Sequence, residues 1–255
     1  MMILRTALFA GALLGSLGSA ALADAPVPRL KPDVPNSSQL LNDADFNAFR
    51  RAMRAADDDD WGAVRRARDT ISNPVADKVL LWRIAISDPR THFEELRMAV
   101  EQLEDWPRDW MIRRKAEWKM PDARLSPAQL ASWFEAHPPV TGEGRVTFGE
   151  ALIDLGRVEE GRSEIRQAWR TESLRLSSQS DVLSRHGALF SQDDHAARVD
   201  YLLWNGQRTA ASRLMPQLDA GERRVAEARI GLAARAAGVD RAVDSVPASL
   251  TTHPG

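Results

Sequence analysis

Residues 145–170 read RVTFGEALIDLGRVEEGRSEIRQAWR. Two helical patterns, Arg145–Leu155 and Arg157–Arg170, meet at Leu155-Gly156-Arg157, where glycine supplies the backbone freedom a tight reversal needs. The small Gly161 follows on the second helix and lets the paired helices approach closely. The same arrangement occurs twice more. Asp59-Asp60-Trp61-x-Ala63 is followed by Ala67, and Asn205-Gly206-Gln207 is followed by Ala210 and Ala211. Long stretches of alternating apolar and polar residues are missing throughout, so the chain is expected to be all-α.

Outward from these turns, helical periodicity continues in both directions. Asp43–Ala56 places Phe46, Phe49, Met53 and Ala56 on one face, and Asp60 is positioned to cap a helix that begins near Trp61. That helix is expected to end before Pro74, because the residue preceding proline disfavours α geometry. Further helices are expected over Ala76–Ser87, Thr91–Leu103, Pro107–Met120 and Ser126–Ala136, the last opened by Ser126-Pro127. Ser177–His186, Asp193–Asn205, Gln207–Leu214 and Asp219–Ala237 complete the set, with a ragged tail from Val239. The repeat is degenerate and its intervals are too irregular for an ordinary tetratricopeptide array. The expected architecture is a right-handed or irregular α-superhelix of helix-turn-helix pairs, solenoid-like; a compact non-repeating helical domain is the alternative.

Residues 1–23 have the form of a secretory signal. Arg5 gives a positive start, Ala7–Leu17 is almost wholly apolar, and Ala21-Leu22-Ala23 fits a small-residue cleavage pattern. Asp24-Ala25-Pro26 then stops the apolar run, so no stable membrane span is expected. Residues 24–42 read as a proline-rich extended lead-in, 43–245 as the superhelical domain and 246–255 as a disordered or truncated tail. The chain of 255 residues has no cysteine. Disulfides, thiolate catalysis and cysteine-bound metals are thereby excluded, as is a lipid anchor on cysteine. With 34 basic and 36 acidic residues, the chain lacks the basic surface that nucleic-acid binding requires. No motif calls for a cofactor. The expected location is the periplasm.

Few residues present themselves for chemistry. Asp57–Asp60 lacks the ligand intervals and turn glycine of a calcium loop, and reads as a solvated turn with a capping role. His186 and His195 flank Asp193 and Asp194 but have no third ligand, and both read as structural. His92, His137 and His253 are isolated. Trp61, Trp82, Trp169 and Trp204 lie in apolar helical patterns and are expected in the core. Trp106, Trp110, Trp118 and Trp133 instead lie near Arg108, Arg113, Arg114 and Lys115. Trp106, Trp110, Arg113, Arg114 and Trp118 form a candidate glycan or partner surface suited to sugar rings or acidic peptide stems. An interhelical core is the competing reading, because Trp106 and Trp110 are spaced to share one helix face.

The stretch Arg185-His186-Gly187-Ala188-Leu189, followed by the eleven residues from Asp194 to Trp204 (DHAARVDYLLW), resembles the superhelical region of bacterial soluble lytic murein transglycosylases. Asp194, His195, Arg198, Asp200 and Trp204 carry the motif. Asp59-Asp60-Trp61-Gly62-Ala63 and Leu152-Ile153-Asp154-Leu155-Gly156-Arg157 add weaker support, and the resemblance spans roughly residues 40–245. It implies a helical ring or horseshoe that accompanies a separate lysozyme-like domain. That domain cleaves between N-acetylmuramic acid and N-acetylglucosamine without water, leaving a 1,6-anhydromuramoyl end. One glutamic acid serves there as acid and then base, a dual role that a raised carboxyl pKa in a partly apolar cleft permits.

Glu172-Ser173 matches the family's catalytic Glu-Ser dipeptide. The sequel Leu174-Arg175-Leu176-Ser177 does not, and no Gly-Leu-Met-Gln or Ala-Tyr-Asn-Ala-Gly element follows. Glu172 is therefore expected to be a surface or capping residue, and no catalytic residue is assigned. The tail 246–255 completes no helical cap and reads as a fragment end, a frameshift or a degenerate paralogue. The resemblance implies a non-catalytic scaffold in murein cleavage and turnover, with peptidoglycan or a catalytic domain as partner and a role in guiding glycan strands. The alternative is a stand-alone helical-repeat adaptor that binds periplasmic or cell-wall assembly proteins.

Overall fold

Three turns of one geometry organise the chain. In each, a residue with left-handed backbone ends one helix: Asp59 (φ 58°), Gly156 (φ 82°) and Gly206 (φ 68°). The next residue donates its backbone N–H five residues back, Asp60 to Ala55 (2.8 Å), Arg157 to Leu152 (2.9 Å) and Gln207 to Leu202 (2.8 Å). This is the hydrogen bond of the Schellman motif. The donor then becomes the N-cap of the following helix. One residue thus closes the first helix and opens the second, and the two are held side by side.

The computed structural model describes residues 40–252, and every regular element among them is helical. The predicted signal over 1–23, the lead-in as far as Gln39, and His253 lie outside the described residues. The helices are α1 (Asp43–Asp57), α2 (Trp61–Arg68), α3 (Pro74–Ser87), α4 (Phe93–Gln102), α5 (Asp109–Ala123), α6 (Pro127–Ala136) and α7 (Gly142–Asp154). They continue as α8 (Val158–Thr171), α9 (Leu176–His186), α10 (Gln192–Trp204), α11 (Arg208–Leu214), α12 (Ala220–Ala234) and α13 (Val239–Asp244). No helix of the described residues is long and apolar enough to cross a membrane.

The main helix packing is between elements adjacent or next-adjacent in the chain, such as α1 with α2 and α3, and α10 with α8, α11 and α12. The fold is a solenoid-like α-superhelix, in which each unit buries its face on its neighbours. The core is divided in the same order. Ala52, Ala56, Trp61, Val64, Leu80 and Ile84 fill the first section, between α1, α2 and α3. Leu81 and Ala85, on another stripe of α3, belong to the second section, with Phe93, Leu96, Ile112 and Phe134. Trp169, Val199, Leu202 and Leu214 belong to the third, spanning α7 to α12.

Several helix ends differ from the sequence expectation. Asp105 and Arg108 have positive φ (63° and 65°), which halts the chain after α4 and delays α5 to Asp109. Trp106 therefore lies in a connector and packs on the second core section, so it shares no helix face with Trp110. Arg235 (φ 49°) ends α12 before Ala237, and the expected ragged tail opens with α13. Within 246–252, where a disordered or truncated tail is expected, Ala248–Leu250 forms a single 3-10 turn packed on α12. Trp61 and Trp169 are core residues and Trp82 is half-buried, but Trp204 is 65% exposed. The buried stripe of α10 runs through His195, Arg198, Val199 and Leu202 and leaves Trp204 off its edge.

Candidate functional site

The start of α7 is packed so closely that Gly142 and Gly144 in its first turn leave no room for a side chain. Glu117 of α5 is buried beneath it and accepts hydrogen bonds from Val140 N (2.7 Å), Thr141 N (2.8 Å) and Thr141 Oγ1 (2.5 Å). Thr141 Oγ1 in turn accepts from Gly144 N (2.8 Å), capping the helix. A Cβ on Gly142 would lie 2.6 Å from the Ser173 carbonyl oxygen, and one on Gly144 would strike the Glu117 carboxylate. Burial pushes the Glu117 carboxyl up, against the opposing pull of its hydrogen bonds from Thr141 and Val140. With both oxygens engaged, Glu117 is committed to holding α5 against α7.

Above this packed base opens a cleft of about 340 Å³, lined by Trp110, Arg114, Trp118, Gly142, Glu172 and Ser173 among others. Arg114 and Trp118 are one helical turn apart on α5, and the Arg114 guanidinium lies 4.4 Å from the indole centroid. Arg175, at the N-cap of α9, brings a second guanidinium to 5.4 Å from the same ring. Glu143 accepts from both the backbone N and Nε of Arg175 (3.0 Å each). Burial would raise the Glu143 carboxyl, but these bonds outweigh it and hold it below the usual range. Glu172 ends α8 and ion-pairs with Arg145 Nε (3.4 Å). Among the described residues no carboxylate pairs with Arg114, which is exposed and rests only on Trp118. Trp110 is 54% exposed at the mouth.

The cleft therefore gathers three of the five predicted surface residues, Trp110, Arg114 and Trp118. Trp106 packs inward as described above. Arg113 lies outside the cleft, donating Nη2 to the Pro138 carbonyl (2.5 Å) and lining a separate recess with Glu101 and His137. Glu143 and Arg175 enter the cleft unannounced, because they reach it from later elements and carry no local motif.

The predicted family motif serves packing. Arg198 is fully buried and donates Nη1 to the carbonyls of Trp169 (3.1 Å) and Glu172 (2.6 Å), closing the C-terminal end of α8. Its Nε and Nη2 donate to Gln179 Oε1 of α9 (3.2 and 3.0 Å). Burial lowers its pKa to about 10. Asp194 forms a capping box with Ser191 and accepts from Arg170 Nη1 (2.8 Å). His195 sits edge-on to Trp169 and Phe190, 5.9 Å from each, and Asp200 accepts from Arg229 (2.5 Å). Trp204, the motif's last residue, lies 5.8 Å from the Arg229 guanidinium on the solvent side.

His186 does not converge with His195; its Nε2 lies 2.6 Å from Glu150, which also pairs with Arg185. Among the described residues, no three His, Asp or Glu side chains gather to hold a metal ion. Asp60 caps α2 by accepting from Ala63 N (2.9 Å), and Asp57 pairs with Arg83 (3.2 Å). Comparison with protein-family models, curated proteins and solved structures finds no match to this chain.

Proposed function

We propose that this chain is a non-catalytic superhelical scaffold of the periplasmic murein-cleaving machinery, one that guides glycan strands along its surface. The resemblance of residues 185–204 to the superhelical region of lytic transglycosylases motivates the reading. The observation that carries it is that Trp118 and the exposed Trp110 line one open cleft. A sugar ring presents a C–H-rich face that packs on an indole, and hydroxyls that need fixed polar partners. Arg114, Arg175, Glu143 and Ser173 supply those partners around the aromatic floor.

The carboxyls near the cleft are already employed. Glu117 binds the Val140 and Thr141 amides that lead into α7, Glu143 holds Arg175, and the Glu172 carboxylate lies 3.4 Å from Arg145 Nε. A general acid needs a carboxyl free to approach the glycosidic oxygen, so guidance suits this arrangement better than cleavage.

Co-sedimentation with purified murein sacculi tests the proposal. The purified protein is expected to pellet with sacculi in a saturable manner, and to be released by excess soluble glycan fragments. Saturable binding to a periplasmic protein, with none to sacculi, would replace this reading with that of an adaptor.

A further inference from the structure

We infer that the Arg114–Trp118–Arg175 stack is a carboxylate-recognition subsite, which takes the acidic peptide stem borne by a glycan strand rather than the sugar backbone alone. The inference rests on the glycan-guiding reading above and specifies which part of the strand this corner of the cleft would engage.

Charge balance within the cleft is the first ground. Glu143 is satisfied by the backbone and side chain of Arg175, and Glu172 lies 3.4 Å from Arg145 Nε, whose Nη1 is bound to Glu164 (2.7 Å). Arg114 is left uncompensated and exposed. A neutral ligand would pack on Trp110 yet leave this cation unanswered; a ligand carboxylate answers it.

Geometry is the second ground. The Arg114 guanidinium is held 4.4 Å from the Trp118 centroid, an attraction that costs it no N–H donors. The fork of an arginine accepts a carboxylate through two parallel hydrogen bonds, and a guanidinium already held in place loses less freedom on doing so. Arg175 spends its Nε on Glu143, while the same ring lies 5.4 Å from its guanidinium carbon. Two guanidinium groups thus flank one indole. An acidic peptide appended to a sugar offers both a surface for Trp110 and a carboxylate for Arg114.

Isothermal titration at low ionic strength tests the assignment with four probes: a disaccharide-tripeptide, the same compound with its carboxyls amidated, the peptide-free disaccharide, and the tripeptide alone. The disaccharide-tripeptide is expected to bind about tenfold more tightly than its amidated form, as a charge-assisted hydrogen bond implies. Arg114→Gln is expected to bring it down to the affinity of the amidated form. Equal affinity of the free and amidated forms would overturn the subsite while leaving glycan guidance standing. Binding of the tripeptide at Arg114, with no contribution from sugar, would uphold the subsite and remove the glycan reading. Binding of none of the four would overturn both.

Discussion

Gly149 of α7 and Gly161 of α8 meet backbone to backbone. A Cβ on Gly149 would lie 2.6 Å from the Gly161 carbonyl oxygen, and one on Gly161 would strike the Gly149 carbonyl oxygen. This contact brings the two helices of the central pair together and fixes the position of α7, whose first turn walls the cleft. Helix propensity alone favours alanine over an interior glycine by about 0.5–1 kcal/mol. The contact should reverse that sign, because the opposing atoms are backbone and cannot turn aside. Gly149→Ala and Gly161→Ala are each expected to lower stability by about 1–3 kcal/mol in urea denaturation. Gly62→Ala is the control: its Cβ would meet the mobile end of Arg66 at 3.3 Å and Asp60 Oδ1 at an ordinary 3.5 Å, and should be neutral or mildly stabilising. Stabilisation at Gly149 or Gly161 would show that the helices have room to part.

What sequence could reveal of this architecture follows from how local the deciding chemistry is. The turns at Gly156 and Gly206 were legible because glycine marks a left-handed residue, and Asp60 because its side chain caps the helix it precedes. Asp105 and Arg108 take the same backbone region with no glycine to signal it. The break before α5, and with it the inward packing of Trp106, was therefore hidden. One wall of the cleft was legible because Trp110, Arg114 and Trp118 share one helix. Glu143 and Arg175 are 32 residues apart in sequence, and only the packing of α7 against its neighbours brings them together.

Arg198 sets the junction of α8, α9 and α10 by serving three acceptors at once, the Trp169 and Glu172 carbonyls and Gln179 Oε1. Methionine at this position would fill part of the volume and leave all three without that donor. Each buried polar group so stranded costs about 1–3 kcal/mol. Arg198→Met is thus expected to destabilise the protein by roughly 3 kcal/mol or more, with faster amide exchange across α9. Arg198→Lys should recover only part of the loss, since one ammonium cannot span acceptors on two helices. A loss below about 1 kcal/mol for Arg198→Met would mean that solvent satisfies these carbonyls.

His195 gives the fold a dependence on pH. Burial between Trp169 and Phe190 lowers its pKa below the ordinary 6.5, with Asp194 pulling weakly the other way. The unfolded chain then binds this proton at higher pH than the folded chain does. The resulting stability is complete above about pH 6.5 and is lost as pH falls from there toward the folded-state value. His195→Phe keeps an aromatic ring in the same place and removes the proton. Its stability is expected to decline less than the wild type's between pH 6.5 and 5 in chemical denaturation. Asp194, whose pKa is lowered from 3.8, acts only in a more acidic window. Parallel curves for wild type and His195→Phe over this range would show that the ring protonates freely in the folded state.

Trp110 and Trp204 separate function from fold. Both are exposed, 54% and 65%, but only Trp110 lines the cleft. Neither side chain should contribute much to stability, and alanine at either site is expected to shift unfolding by no more than about 0.5 kcal/mol. Retention on murein sacculi should distinguish them. Trp110→Ala removes the aromatic surface at the cleft mouth and is expected to weaken retention several-fold. Trp204→Ala removes a comparable indole beside Arg229 and is expected to leave retention intact. Equal losses in the two variants would point to general adhesion of exposed aromatic rings and set aside the cleft as the glycan path.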